Sequence, residues 1–133
     1  TAENGAIVVA LVDDNEVNRK LARVQLKRLG YQVGIAKNGL EAVAAMQDKS
    51  QHYDAILMDC QMPEMDGFEA TGAIRQLEHP IAAIPIIAMT ANAMRGDRER
   101  CLRSGMDGYI AKPVDMDELG RSLAELLRKR RAA

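Results

Sequence analysis

The chain has 133 residues, with 18 Lys+Arg against 19 Asp+Glu and a formal net charge of -1 at pH 7, a length that fits one domain and leaves little room for a second. That balance argues against generic nucleic-acid binding, which needs an excess of Lys and Arg. At 47% hydrophobic it can bury a real core, yet no run approaches the roughly 18 apolar residues of a membrane span and no secretory leader opens it, so a soluble, cytoplasmic segment is expected.

Residues 1–5, Thr-Ala-Glu-Asn-Gly, read as a linker remnant, and the folded domain is placed at 6–130 with a tail at 131–133. Ala6 to Val12 is a continuous β-prone run, consistent with a strand covered on both faces. It ends in Asp13-Asp14-Asn15. A first helix then follows, with Val17, Leu21 and Val24 at i, i+4 and i+7 and a second such row at Ala22, Leu26 and Leu29; Gly30 stops it. Tyr31 to Ala36 is the second strand, and Asn38-Gly39 opens a second helix carrying Leu40, Val43, Ala44 and Met46.

Asp54 to Asp59 is an apolar strand that ends on a carboxylate, after which Met62-Pro63 and Asp66-Gly67 turn the chain. A third helix is expected over Gly67 to Glu78, weakened by about 1 kcal/mol at Gly72. Ile84 to Met89 is the fourth strand, closed by Thr90-Ala91-Asn92. Residues 93–104 form a charged fourth helix, Gly108 to Ala111 the fifth strand and Asp115 to Arg130 the last helix, with Lys112-Pro113 between them. Five strands alternating with five helices imply an α/β domain with a parallel sheet covered on both sides. Cys60 and Cys101 show neither CxxC pairing nor metal-ligand spacing and are read as reduced thiols; a disulfide has no support in the pattern.

Asp13, Asp14, Asp59, Thr90 and Lys112 all fall at the C-terminal ends of strands, the edge where open α/β sheets bind ligands. If the first and third strands are neighbours, three carboxylates converge, and like charges so close need a cation. Lys112 is one candidate; Mg²⁺, which favours hard oxygen donors and phosphate, is the other. Each residue also has a plainer reading. Asp59 can be a turn residue, Asp13 and Asp14 helix caps, Thr90 a cap of the fourth helix, and Lys112 a solvated charge. Two adjacent acids opposite a third favour a site suited to phosphoryl transfer, with Asp59 as nucleophile.

Val12-Asp13-Asp14-Asn15, Asp59-Cys-Gln-Met-Pro-Glu-Met-Asp-Gly67, Met89-Thr90-Ala91 and Tyr109-Ile-Ala-Lys112-Pro113 together resemble the receiver domain of two-component response regulators, from Ile7 to about Leu127. The resemblance implies a single flavodoxin-like (βα)5 domain with a parallel five-stranded sheet of order 2-1-3-4-5. It also implies that Asp59 accepts a phosphoryl group from a phosphohistidine and that the domain catalyses its own phosphorylation and dephosphorylation. Asp14, Asp59 and the Gln61 carbonyl would bind Mg²⁺, with Asp13 holding a metal-bound water. Lys112 would pair with phosphoryl oxygens, and its bond to Pro113 would be cis. Thr90 and Tyr109 would be the switch residues that repack the fourth helix, fifth strand and fifth helix; a half-buried strand aromatic is the plain alternative for Tyr109.

The wording Asp14-Asn15-Glu-Val-Asn18-Arg19, Met58-Asp-Cys-Gln-Met-Pro63, Phe68-Glu-Ala-Thr71 and Ala88-Met-Thr-Ala-Asn-Ala-Met94 is similar to receivers of hybrid sensor histidine kinases. With no second domain after Arg131, a histidine kinase or a histidine phosphotransfer domain is the expected partner, and an isolated receiver would be monomeric, touching neither nucleic acid nor membrane. A stand-alone single-domain regulator is the alternative. A haloacid-dehalogenase-type phosphatase would need Asp-x-Asp rather than adjacent acids, a non-phosphorylated scaffold would have lost a site residue, and Arg128-Lys-Arg-Arg131 fits a helix C-terminus better than a DNA contact. His52 and His79 are read as surface residues, while Asn15, Gln61 and Asn92 are expected to border the site and tune water access.

Overall fold

A computed structural model describes residues 7–91 and 95–132. Its elements are β1 (Val8–Val12), α1 (Glu16–Arg28), β2 (Gln32–Ala36), α2 (Gly39–Gln47), β3 (Ala55–Asp59), α3 (Gly67–Arg75), a 3₁₀ turn (Ile81–Ala83), β4 (Ile86–Thr90), α4 (Arg95–Arg103), β5 (Gly108–Ala111) and α5 (Met116–Ala132). The five strands form one parallel sheet of order β2-β1-β3-β4-β5. Strand side chains alternate between two cores, as the pleat requires. Val9, Leu11, Leu57, Ile87 and Ile110 meet Ala22 and Leu26 of α1 and Leu119, Leu123 and Leu127 of α5. Ala10, Val12, Ile56, Met58, Ile86 and Ala88 meet residues of α2, α3 and α4. Each large side chain buried this way contributes about 1.5–3 kcal/mol. Among the described residues no helix is long and apolar enough to cross a membrane.

Local chemistry sets the helix ends. Asn15 caps α1, its side chain accepting from Asn18 N, and Gly30 at φ +96° closes the other end, where Tyr31 N donates to Leu26 O and Gly30 N to Lys27 O. Asp66 and Glu69 form a reciprocal capping box at the start of α3. Gly67 is required there by close approach: a Cβ would collide with the Asp59 carbonyl oxygen and come within 3.0 Å of Cys60 Cα.

Several expected boundaries move. The linker remnant 1–5, Ala6 and Asn92 lie outside the described residues. The third helix ends at Arg75 rather than Glu78: Gln76 N and Leu77 N turn to the carbonyls of Ala73 and Ile74 in the tighter i→i−3 pattern, while the Arg75 guanidinium bonds the carbonyls of Gly105, Ala82 and Ile84 and the carboxylate of Asp107. The fourth strand begins at Ile86 and includes Thr90, and the last helix runs from Met116 to Ala132 instead of from Asp115 to Arg130. On α1, Ala22 and Leu26 face the sheet, with Leu29 packed at the edge of that core, whereas Val17, Leu21 and Val24 are 73%, 53% and 48% exposed.

Candidate functional site

Parallel register brings the polar strand ends together. Val12 pairs with Met58, so Asp13 and Asp59 follow on adjacent strands; Asp59 pairs with Met89, and Thr90 with Ala111, which Lys112 follows. Asn15, not Asp13 or Asp14, caps α1, so neither acid is engaged as the cap. Asp13 is buried, its Oδ1 accepting from Asn15 N at 2.9 Å, while Arg19 Nη1 donates to its backbone oxygen at 2.8 Å. Asp14 is exposed at the rim. Carboxylate oxygens of Asp13, Asp14 and Asp59 lie within 4.8 Å of one another.

Lys112 is the cation of this cluster. Its Nζ stands 3.0 Å from Asp59 Oδ1 and 3.5 Å from Asp13 Oδ2, and Asp59 Oδ1 also accepts from Gln61 N at 3.3 Å. Burial, followed by the charge of Asp13, pushes the Asp59 carboxyl up to about 6, against the pull of Lys112. For Lys112, burial favours the neutral amine, but the hydrogen bond and charge of Asp59, then Asp13, outweigh it and raise its pKa. The Lys112–Pro113 bond is cis.

The donor set fits a small hard cation. Three carboxylates face one another, and the buried Asp13 Oδ2 makes no hydrogen bond. Lys112 Nζ, 3.5 Å away, offsets part of its charge, and a bound cation would give this buried acceptor, which costs about 1–3 kcal/mol when unsatisfied, a closer partner. A cleft of about 180 Å³ is lined by Asp14, Asn15, Asp59, Gln61, Thr90 and Lys112, so Asn15 and Gln61 do border the site.

The switch candidates sit on the α4 side. Thr90 is buried, its Oγ1 donating to Asp97 Oδ2 at 3.3 Å, and the half-buried Tyr109 ring carries the Arg98 guanidinium 5.5 Å from its centre. Asp97 and Arg98 were not anticipated from sequence; their positions near α4's N-terminus are the only available hint, and that hint does not name a partner. Next to Asp59, the Sγ atoms of Cys60 and Cys101 lie 3.8 Å apart, and burial pushes both thiols up. His52 and His79 are exposed, His52 pairing with Asp54 at 2.8 Å.

Residues 9–124 match the family described as response regulator receiver domain. The sensor histidine kinase RcsC of Escherichia coli (strain K12) is 40% identical over 133 residues, covering 98% of this chain; the match spans only 14% of the kinase. The receiver domain of sensor histidine kinase PA1611 from Pseudomonas aeruginosa PAO1, solved with a magnesium ion coordinated in its active site cleft, is 44% identical with a TM-score of 0.83, covering 92% of this chain and 98% of that one. The receiver domain of Saccharomyces cerevisiae Ssk1, in complex with the histidine phosphotransfer signaling protein Ypd1, is 29% identical with a TM-score of 0.79, covering 90% and 88%.

Proposed function

Because the chain belongs to the response regulator receiver domain family, we propose that Asp59 is its phosphoacceptor and takes a phosphoryl group from a phosphohistidine. The observation that carries this reading is the buried Asp59 carboxylate held at 3.0 Å by Lys112 beside two further acids. An Asp59 oxygen bonds to phosphorus as the phosphorus–nitrogen bond to the donor imidazole breaks. Such transfer depends on positioning and on neutralising the phosphoryl oxygens. Lys112 supplies one fixed charge. Asp13, Asp14, Asp59 and the Gln61 backbone carbonyl would hold Mg²⁺, which supplies further positive charge to the phosphoryl oxygens when bound.

Once Asp59 carries a phosphoryl group, its oxygens compete with Asp97 for the Thr90 hydroxyl, and the Thr90 strand end is drawn toward Asp59. Tyr109 follows from its place beside α4, so that α4, β5 and α5 present a changed face.

The partner is a histidine phosphotransfer domain or a histidine kinase, and the receiver proper, residues 6–130, forms the cytoplasmic receiver part of a hybrid sensor histidine kinase. Support comes from the kinase relatives, from the Ssk1–Ypd1 complex and from α1 itself. Its exposed Val17, Leu21 and Val24 form an apolar row, of which Leu21 shares a pocket wall with Pro113 and Lys112. A histidine-bearing helix docked there would bring its imidazole to Asp59.

Labelling from a purified phosphohistidine protein tests the assignment. The expected result is a Mg²⁺-dependent, hydroxylamine-labile label that Asp59→Asn abolishes; undiminished, acid-stable labelling of Asp59→Asn would overturn it.

A further inference from the structure

Cys60 directly follows Asp59 at the end of β3, and Cys101 lies in α4. Both side chains are buried, 41 positions apart in sequence, with Sγ atoms 3.8 Å apart. We propose that Cys60 and Cys101 are a redox modification site, converted by an oxidant of the peroxide class into an intramolecular disulfide that fastens the end of β3 to α4.

The gap is small. A disulfide holds its sulfurs about 2 Å apart, so closure asks for a further approach of about 2 Å shared by two side-chain rotations and the α4 backbone. The oxidant also has a route. A cleft of about 260 Å³ between the β3–α3 loop and α4 is lined by Cys60, Gln61, Asp97 and Arg100, with Arg100 laid over Phe68 at 4.0 Å on its wall. Cys60 lines that space and the fully buried Cys101 does not, which sets the order of events.

The Cys60 sulfur attacks one peroxide oxygen, the O–O bond breaks, and a sulfenic acid and one water form. The Cys101 sulfur then displaces the sulfenic oxygen as a second water and closes the S–S bond. Two thiols lose two electrons and two protons, and hydrogen peroxide becomes two waters. The bridge opens again on exchange with a dithiol. Its bearing on signalling rests on the proposed phosphoacceptor role: α4 carries Asp97 and Arg98, the partners of Thr90 and Tyr109, and a bridge to β3 holds that helix in its unphosphorylated position.

The test uses the full chain with hydrogen peroxide over hours, since buried thiols react slowly, followed by alkylation, digestion without reductant and mass mapping. The expected product is a monomer lacking two hydrogens, with a Cys60–Cys101 linked peptide that dithiothreitol removes. Cys101→Ala is expected to stop at a Cys60 sulfenic acid that a dimedone probe captures. Should that variant not fold, the wild-type linkage and its reversal stand alone as the readout. Both thiols remaining alkylatable at the end of the full exposure, or linkage between chains instead of within one, would overturn the site. Amide exchange across residues 95–103 is expected to slow in the bridged chain relative to the reduced one; equal exchange would overturn the fastening of α4.

Discussion

Lys112 Nζ lies 3.0 Å from Asp59 Oδ1 and 3.5 Å from Asp13 Oδ2, so one ammonium is shared by two buried carboxylates. Burial first, then the Asp13 charge, raises Asp59 from 3.8 to about 6. The folded state therefore holds the Asp59 proton more tightly than the unfolded chain does. Its contribution is full below the unfolded value and lost as pH rises through the folded one. In chelator, the stability difference between wild type and Asp59→Asn should move in favour of the variant from about pH 4 to 6, by up to about 3 kcal/mol. Urea midpoints across that window check it, and Mg²⁺ at pH 7 should return stability to the wild type alone. A difference that stays flat with pH would mean that Lys112 cancels the effect of burial and of Asp13 on the Asp59 carboxyl.

Asp97 accepts from Thr90 Oγ1 at 3.3 Å, a long bond worth less than about 1 kcal/mol. Asp97→Ala removes one partner of the switch hydroxyl while leaving the carboxylate cluster intact. The apparent affinity for beryllofluoride, an acyl-phosphate analogue, should rise by up to about fivefold in the presence of Mg²⁺, the equivalent of that energy. Titration followed by NMR measures it; weaker binding would show that Asp97 assists the switched state instead of opposing it.

Val17, at 73% the most exposed of the α1 row, has little packing to lose, so Val17→Asp should change stability by no more than about 0.5 kcal/mol. If a phosphotransfer domain docks there, transfer from it should slow by about tenfold or more. Labelling by acetyl phosphate, which needs no docking surface, should be unchanged. Equal slowing with both donors would place the defect in the site and not in the interface.

Gly67 lets the start of α3 rest on the backbone of the acceptor strand, with Gly67 N donating to Cys60 O at 3.0 Å. Gly67→Ala should cost about 1–3 kcal/mol by overpacking, and because the displaced atoms are the Asp59 carbonyl and Cys60 Cα, it should also slow phosphorylation. Denaturation and labelling of the same preparation check both. A stable variant labelled at the wild-type rate would mean that the loop relaxes without moving Asp59.

The sheet was legible because buried parallel strands are short apolar runs, and four of the five lead into polar residues that lie together at one edge: Asp13, Asp59, Thr90 and Lys112. The side of α1 facing the sheet was not. Val17, Leu21, Val24 and Ala22, Leu26, Leu29 have the same helical spacing, and only the packing of α5 and the strands chooses the second row. The capping assignment was equally open, since Asp13, Asp14 and Asn15 are all good caps; geometry gave the task to Asn15. Pairings across the chain, Thr90 with Asp97 and Cys60 with Cys101, have no local pattern from which to be read.

Arg75 spends its guanidinium on the carbonyls of Gly105, Ala82 and Ile84 and on the Asp107 carboxylate, which also accepts from Ile86 N at 2.8 Å. These anchor points all lie where β4 and β5 begin, at the opposite rim from Asp59. One planar side chain thus ties together the feet of β4 and β5, so the two strands that lead into Thr90 and Lys112 at the site share a common base far from Asp59.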